Sequence, residues 1–192
     1  MQNASTPCPD DGPAYGLQPH VTAPIAQFAS DVTTILETRE LDEVPDLVAK
    51  AIKPLLSDDT LLAEVHQGCS PDSYCRHVLY ADPKGRFTLL ALVWRPGQGS
   101  PVHGHTAWCS VGIWRGRTTI TTYRVEEPVP GSYITEEDRS FECGPGEICA
   151  LQPGLQDVHR LANMGDEVGI TLHVYGKDLV ADPCAINQVV SA

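Results

Sequence analysis

The chain has 192 residues, 42% of them hydrophobic and 20% charged, a balance typical of folded globular domains and enough for one apolar core. With 25 acidic against 13 basic residues, the formal net charge of −12 argues against a nucleic-acid or anionic-membrane partner. No apolar run approaches the roughly 18 residues of a membrane span, and the N-terminus shows no basic region followed by an apolar one, so no secretory signal is expected. The seven cysteines (Cys8, Cys69, Cys75, Cys109, Cys143, Cys149 and Cys184) are odd in number, irregularly spaced and without a CxxC pair. That usage points to free thiols in a reducing, cytoplasmic setting.

In chain order, residues 1–22 carry Pro7, Pro9, Pro13 and Pro19 and read as a flexible tail. Residues 23–192 read as a single domain, with helices over about 23–68 and strands over about 72–180. Ile25, Phe28, Ala29, Val32, Ile35 and Leu36 follow helical spacing behind a Thr22 cap. A second helix is expected from Pro45, burying Leu47, Val48, Ala51 and Ile52, since proline suits a first turn. A third is expected from a Ser57 cap, through Asp58 and Asp59, to about Gly68. After Tyr74 the segments "YCRHVLYA", "RFTLLALVW", "AWCSVGIWRG", "RTTITTYRV", "SYITEEDRSF" and "VGITLHVYG" are β-branched and aromatic, and Gly/Pro turns separate them. Short strands in series without helical interludes imply an antiparallel sandwich or barrel.

His103 and His105 lie two residues apart, so an extended backbone points both imidazoles to one face, where they can meet one metal ion. If the extension continues, Ala107 and Cys109 share that face. A third ligand has to come from another strand. His159, after the turn-forming "QPG", is the choice, and His173 in "ITLHVYG" is the alternative. His20 and His66 are expected to face solvent. The same parity puts Tyr74 with Arg76 on one face, and Thr171, His173 and Tyr175 on another. Trp94, Trp108 and Trp114 are expected to fill the core and its rim, with Trp108 walling the site. Cysteines other than Cys109 read as structural.

"PVHGHTAWCSVGIWRG" resembles the first cupin motif and "GPGEICALQPGLQDVHRLAN" the second. Cupins commonly carry a glutamate after the HxH pair, whereas Ala107, Trp108, Cys109 and Ser110 stand here. That absence, with "TLHVYG" and "YCRHVL", makes residues of about 40–180 similar to the cysteine dioxygenase family. The spacing between Pro153 and His159 departs from the usual motif.

The resemblance implies a mainly β, cupin-type antiparallel β-barrel (double-stranded β-helix, or jelly roll) with N-terminal α-helices. It implies Fe(II) held by His103, His105 and His159, and Arg76 with Tyr74 binding the substrate carboxylate. It further implies a Thr171–His173–Tyr175 row beside the metal, and Cys109 as the cysteine that such enzymes can join to tyrosine; otherwise Cys109 is a small buried hydrophobe. Three neutral imidazoles leave a divalent charge uncompensated, so an anionic thiolate is a favourable added ligand. The implied partners are a small-molecule thiol and O2, with cysteine going to cysteine sulfinic acid. Arg76 in its "YCR" context favours cysteine over 3-mercaptopropionate or another thiol-carboxylate. The competing readings are such a dioxygenase, a non-catalytic metal-binding cupin, and a zinc-dependent isomerase-like cupin. Oligomeric state is left open.

Overall fold

The structure, a computed structural model, describes residues 14–15, 21–182 and 187–190, with residues 14–15 and 187–189 described by their backbone. The expectations for the rest of the tail, including His20, lie outside the described residues. Two helices open the fold. The first, α1, runs Ala23–Thr38 with Thr22 at its N-cap and Ile25, Phe28, Ala29 and Val32 buried. The Thr22 carbonyl accepts the Ala26 N–H at 2.9 Å, while its hydroxyl makes no cap bond. The second, α2, runs Val44–Leu56 and buries Val44, Pro45, Val48, Ala49, Ile52, Leu55 and Leu56. Leu47 and Ala51, expected in its core stripe, flank it half-buried.

The expected third helix is absent; residues 57–68 form a turn and a short 3-10 segment, Glu64–Gln67. Local side-chain bonding explains the difference. The Asp58 carboxylate accepts the Thr60 N–H at 2.9 Å and its hydroxyl at 2.7 Å, a turn that competes with helical backbone pairing. The Asp58 carbonyl accepts the Leu61 N–H at 3.1 Å, a turn bond three residues on, and the Trp114 indole N–H at 3.0 Å.

The strands are β1 Ala14–Tyr15, β2 Cys75–Ala81, β3 Thr88–Trp94, β4 His103–His105, β5 Cys109–Arg115 and β6 Thr118–Val129. They continue with β7 Ser132–Cys143, β8 Ile148–Leu151, β9 Gly154–Ala162, β10 Gly169–Tyr175 and β11 Asn187–Val189. One sheet has the order β1-β2-β3-β10-β5-β8, the other β11-β4-β9-β6-β7. Every pairing is antiparallel except that of β1 with β2. The chain crosses between sheets at β3–β4–β5–β6 and again at β7–β8–β9–β10. That alternation gives the strand order of a jelly roll, the double-stranded β-helix of cupins. The hydrogen-bonded ladders do not close, so the barrel is two facing sheets.

Two apolar layers result. The helices cover the outer face of the first sheet through Phe28, Val48, Ile52, Leu89, Ala91, Val93, Ile170, Leu172 and Val174. Between the sheets lie Tyr74, Leu90, Leu92, Trp94, Cys109, Val111, Ile120, Leu161 and Tyr175. The break between β4 and β5 moves the chain from one sheet to the other, so the extension through Ala107 does not continue. Cys109 nonetheless faces the inner layer, because β5 re-enters in the opposite sheet. Gly116, with φ +71°, makes the tight turn from β5 to β6.

Candidate active site

His103, His105 and His159 converge between the sheets. Their candidate ligand nitrogens all lie within 4.8 Å of one another, and their ring centroids are 4.6–5.0 Å apart. His103 pairs with His159 across β4 and β9, and the ladder then shifts so that His105 lies opposite Gly154. This bulge absorbs the unusual Pro153–His159 spacing and brings three side chains together from two strands. Gly104 is required between the histidines because a Cβ there would collide with the Gly154 carbonyl.

Hydrogen bonds at the rings decide which nitrogens are available. His103 Nδ1 lies 3.0 Å from the Pro101 carbonyl and His159 Nδ1 lies 2.7 Å from the Asp157 carbonyl. A carbonyl only accepts, so each Nδ1 carries the hydrogen and each Nε2 keeps its lone pair for a metal. His105 is 2% exposed and neither of its ring nitrogens has a hydrogen-bond partner. A buried orphan of that kind costs about 1–3 kcal/mol; a cation among the three rings gives one of the two nitrogens a partner. Burial holds all three rings below the ordinary histidine range, His105 far below and His159 at about 3. They are therefore neutral, the form that binds a metal. The donor set fits a divalent first-row cation, with zinc and iron both compatible.

A cavity of about 20 Å³ adjoins the triad, lined by Tyr74, Arg76, Leu92, Trp94, Ser100, Leu161, His173 and Tyr175 besides the three histidines. It holds about one water. Arg76 is buried and brings the cavity its permanent positive charge, with no acidic residue in the lining. Tyr74 stacks on Trp94 with centroids 4.3 Å apart. A separate groove of about 740 Å³ between the sheets reaches His159 from the β6–β8 side and is also lined by Cys149.

Thr171, His173 and Tyr175 share the inner face of β10 as one hydrogen-bonded row. Thr171 Oγ1 is 2.8 Å from His173 Nε2, and His173 Nδ1 is 3.1 Å from the Tyr175 hydroxyl. Burial depresses His173 to about 3. His173 thus sits beside the cluster that His159, and not His173, forms with His103 and His105. Tyr175 pairs with Cys109 across β10 and β5, and its hydroxyl, beside the thiol, acts to lower the thiol's pKa. Burial nevertheless raises the Cys109 pKa well above that of a free thiol.

Other expectations shift. His66 is buried, not solvent-facing, and packs edge-on at 6.2 Å against His77. Trp108 lies in the helix-side layer instead of walling the site, beside Gly176. Trp94 does line the cavity, and its indole N–H donates to Thr171 Oγ1 at 2.9 Å. That contact was illegible in "TLLALVW", which is apolar on both faces and so leaves parity without a sign.

The chain matches the family model described as cysteine dioxygenase type I over residues 19–180. It belongs to the cysteine dioxygenase family. It is 27% identical over 93 residues to cysteine dioxygenase type 1 of Rattus norvegicus and of Mus musculus. That match covers 47% of this chain and 45% of each relative, so the chain spans about half the length of the curated relatives it matches. Among solved structures it is similar to a Klebsiella pneumoniae protein with a double-stranded β-helix domain (TM-score 0.48, 16% identity, 70% of this chain and 100% of that one). A Rhodopseudomonas palustris cupin 2 conserved barrel domain protein is also similar (TM-score 0.43, 18% identity, 61% and 66% covered).

Proposed function

We propose that this member of the cysteine dioxygenase family is an Fe(II)-dependent thiol dioxygenase that converts cysteine and O2 to cysteine sulfinic acid. The observation that carries the reading is the placement of Arg76 and Tyr175 around the same small cavity as three neutral, convergent histidines. In balance, one thiol and one O2 give one sulfinic acid, both oxygens passing to sulfur. His103, His105 and His159 would hold the iron through two Nε2 atoms and a His105 nitrogen that protein groups leave vacant. Fe(II), when bound, supplies the redox chemistry that lets ground-state O2 combine with a thiolate.

The chain's own groups account for the rest. The Arg76 guanidinium, with its parallel donors, holds the substrate carboxylate against β2. Tyr74, stacked on Trp94, supports that end of the cavity. Tyr175 presents its hydroxyl to the reacting end, held by His173 and Thr171. The cavity has room for about one water, so its lining has to widen for cysteine to enter, and closing on the substrate would keep bulk water from sulfur. Cys109 is the candidate for a thioether to Tyr175, an oxidation that removes two hydrogens and that the enzyme's own O2 would drive. The five cysteines among the described residues are all free thiols, which suits a reducing, cytoplasmic setting.

The test is oxygen uptake by anaerobically iron-loaded protein with cysteine, 3-mercaptopropionate and a thiol lacking a carboxylate. Cysteine is expected to be oxidised with one O2 per sulfinate and the carboxylate-free thiol to be poor. Preference for 3-mercaptopropionate moves the substrate and keeps the reaction. Protein carrying one iron per chain yet showing no thiol-dependent uptake overturns the enzyme reading in favour of a binding module.

A further inference from the structure

We propose that Trp94 is a positioning residue that sets the direction of the hydrogen-bond chain running from Thr171 through His173 and Tyr175 to Cys109. For its catalytic consequence the inference rests on the dioxygenase reading above; the hydrogen-bond direction itself belongs to the metal-free protein.

Four groups in this chain are ambivalent. The hydroxyls of Thr171 and Tyr175 donate or accept, a neutral imidazole does one at each nitrogen, and a thiol does either weakly. Two arrangements are therefore available to the row taken alone. In one, Thr171 donates to His173 Nε2, His173 Nδ1–H donates to Tyr175, and Tyr175 donates to Cys109. In the other, every arrow is reversed, and Tyr175 spends its hydrogen on His173.

Trp94 breaks this degeneracy because an indole N–H is a donor only. It lies 2.9 Å from Thr171 Oγ1, so the Thr171 oxygen accepts at that end. Thr171 is 0% exposed, and its hydroxyl has two partners, Trp94 Nε1 and His173 Nε2. In the reversed arrangement Thr171 accepts from both, and its own buried hydrogen has nowhere to go. The forward arrangement satisfies every group. Polarisation by the indole also makes the Thr171 hydroxyl a better donor to His173.

Trp94 is itself held in place. Its ring is stacked on Tyr74 at 4.3 Å, its carbonyl accepts from Asn163 Nδ2 at 2.9 Å, and it is 2% exposed. The consequence is that Tyr175 turns its hydrogen away from His173, toward Cys109 and the cavity. There it acts as a donor to whatever binds beside the triad.

The experiment is nitrogen NMR of metal-free protein labelled with ¹⁵N-histidine, with His173 assigned by comparison with His173→Gln. The wild type is expected to carry its hydrogen on His173 Nδ1 with Nε2 hydrogen-free. Trp94→Phe, which keeps an aromatic ring against Tyr74, should lower the Nδ1–H to Nε2–H ratio by roughly fivefold, the worth of one net hydrogen bond. Thr171→Val should lower it further and shift the Trp94 indole proton upfield, leaving the Trp108 and Trp114 indoles in place. Hydrogen on Nε2 in the wild type, or a ratio indifferent to Trp94→Phe, overturns the proposal. If Trp94→Phe does not fold, the wild-type tautomer and the Trp94 indole shift in Thr171→Val decide. With iron and cysteine, Trp94→Phe should lower kcat with KM changed less than about twofold. Wild-type protein that fails to oxidise thiols while showing the expected tautomer sinks the function and leaves the hydrogen-bond direction standing.

Discussion

The two faces of β10 are built for different purposes from alternate residues of one short strand. Ile170, Leu172 and Val174 face the helices and are at most 1% exposed. Thr171, His173 and Tyr175 face the opposite sheet and bond to one another and to Trp94, with Tyr175 opposite Cys109. Both faces are buried, so burial alone does not separate structure from function here. The difference lies in what satisfies each face. Dispersion and exclusion of water satisfy the outer one completely, whereas the inner one is satisfied by directional bonds and packs against His105 of β4, whose ring nitrogens lack a hydrogen-bond partner. The comparison teaches that the aliphatic face anchors the strand so that the polar face can be held against the histidine triad without collapsing onto it.

The largest expected effect comes from the inner layer. His159→Ala removes one of three nitrogens, and metal affinity should fall by more than about 100-fold, the upper range for merely disturbing a ligand's supporting bond. Metal analysis after dialysis, with calorimetric titration, reads this; wild-type affinity would show that the triad is not the site. On the outer face, Leu172→Ala should destabilise the protein by about 2–5 kcal/mol through lost burial and a cavity. Urea unfolding is the readout, and the same protein should retain its metal stoichiometry while folded. A drop below about 1 kcal/mol would mean that the helix layer is not anchoring the strand.

Protonation sharpens the same contrast. A histidine titrates near 6.5 in an unfolded chain, while burial holds His159 and His173 at about 3 in the folded protein. Between those values the unfolded chain binds more protons, so stability rises with pH. It is fully present above about 6.5 and lost as pH falls toward 3, by up to about 1.4 kcal/mol per pH unit for each histidine. Urea midpoints of metal-free protein at pH 7 and pH 5 should show this slope, and His159→Gln should flatten it. A pH-independent midpoint in the wild type would contradict neutral buried rings.

Arg76→Ala should raise KM for cysteine roughly 10- to 100-fold, the worth of a charge-assisted pair, with iron content unchanged. Unchanged KM removes Arg76 from the substrate end. The smallest structural effect is expected from Tyr175→Phe, which deletes one hydroxyl and should cost no more than about 1.5 kcal/mol of stability. Its turnover, or the coupling of oxygen use to sulfinate, should nonetheless drop clearly. An electrode trace matched to product analysis compares the two, and wild-type coupling would strip Tyr175 of its role.

Much of the site was legible because strands have a period of two. The HxH pair, the Thr171–His173–Tyr175 row and the Tyr74–Arg76 pair each share a face by parity, and the structure keeps all three together. Parity failed where the strand ended. It could not follow the chain from β4 into the other sheet, and Trp108 accordingly fell on the helix side. Helix signals worked for α1 and α2, where apolar spacing was long. They misled over residues 57–68, where Asp58 bonds Thr60 and Trp114 instead of starting a helix.

The sequence by itself determined which side chains travel together on each strand, because backbone geometry over a few residues is local. It also supplied the chemical character of the candidate site, since histidines, an arginine and a tyrosine stand out on the strands and no glutamate follows the HxH pair. Only the tertiary structure decided that His159 meets His103 and His105 and that His173 stands behind them. It likewise decided that an indole on β3 closes the row on β10. Those are contacts between residues far apart in sequence, set by sheet register and one bulge, and no local pattern encodes the register of a distant strand.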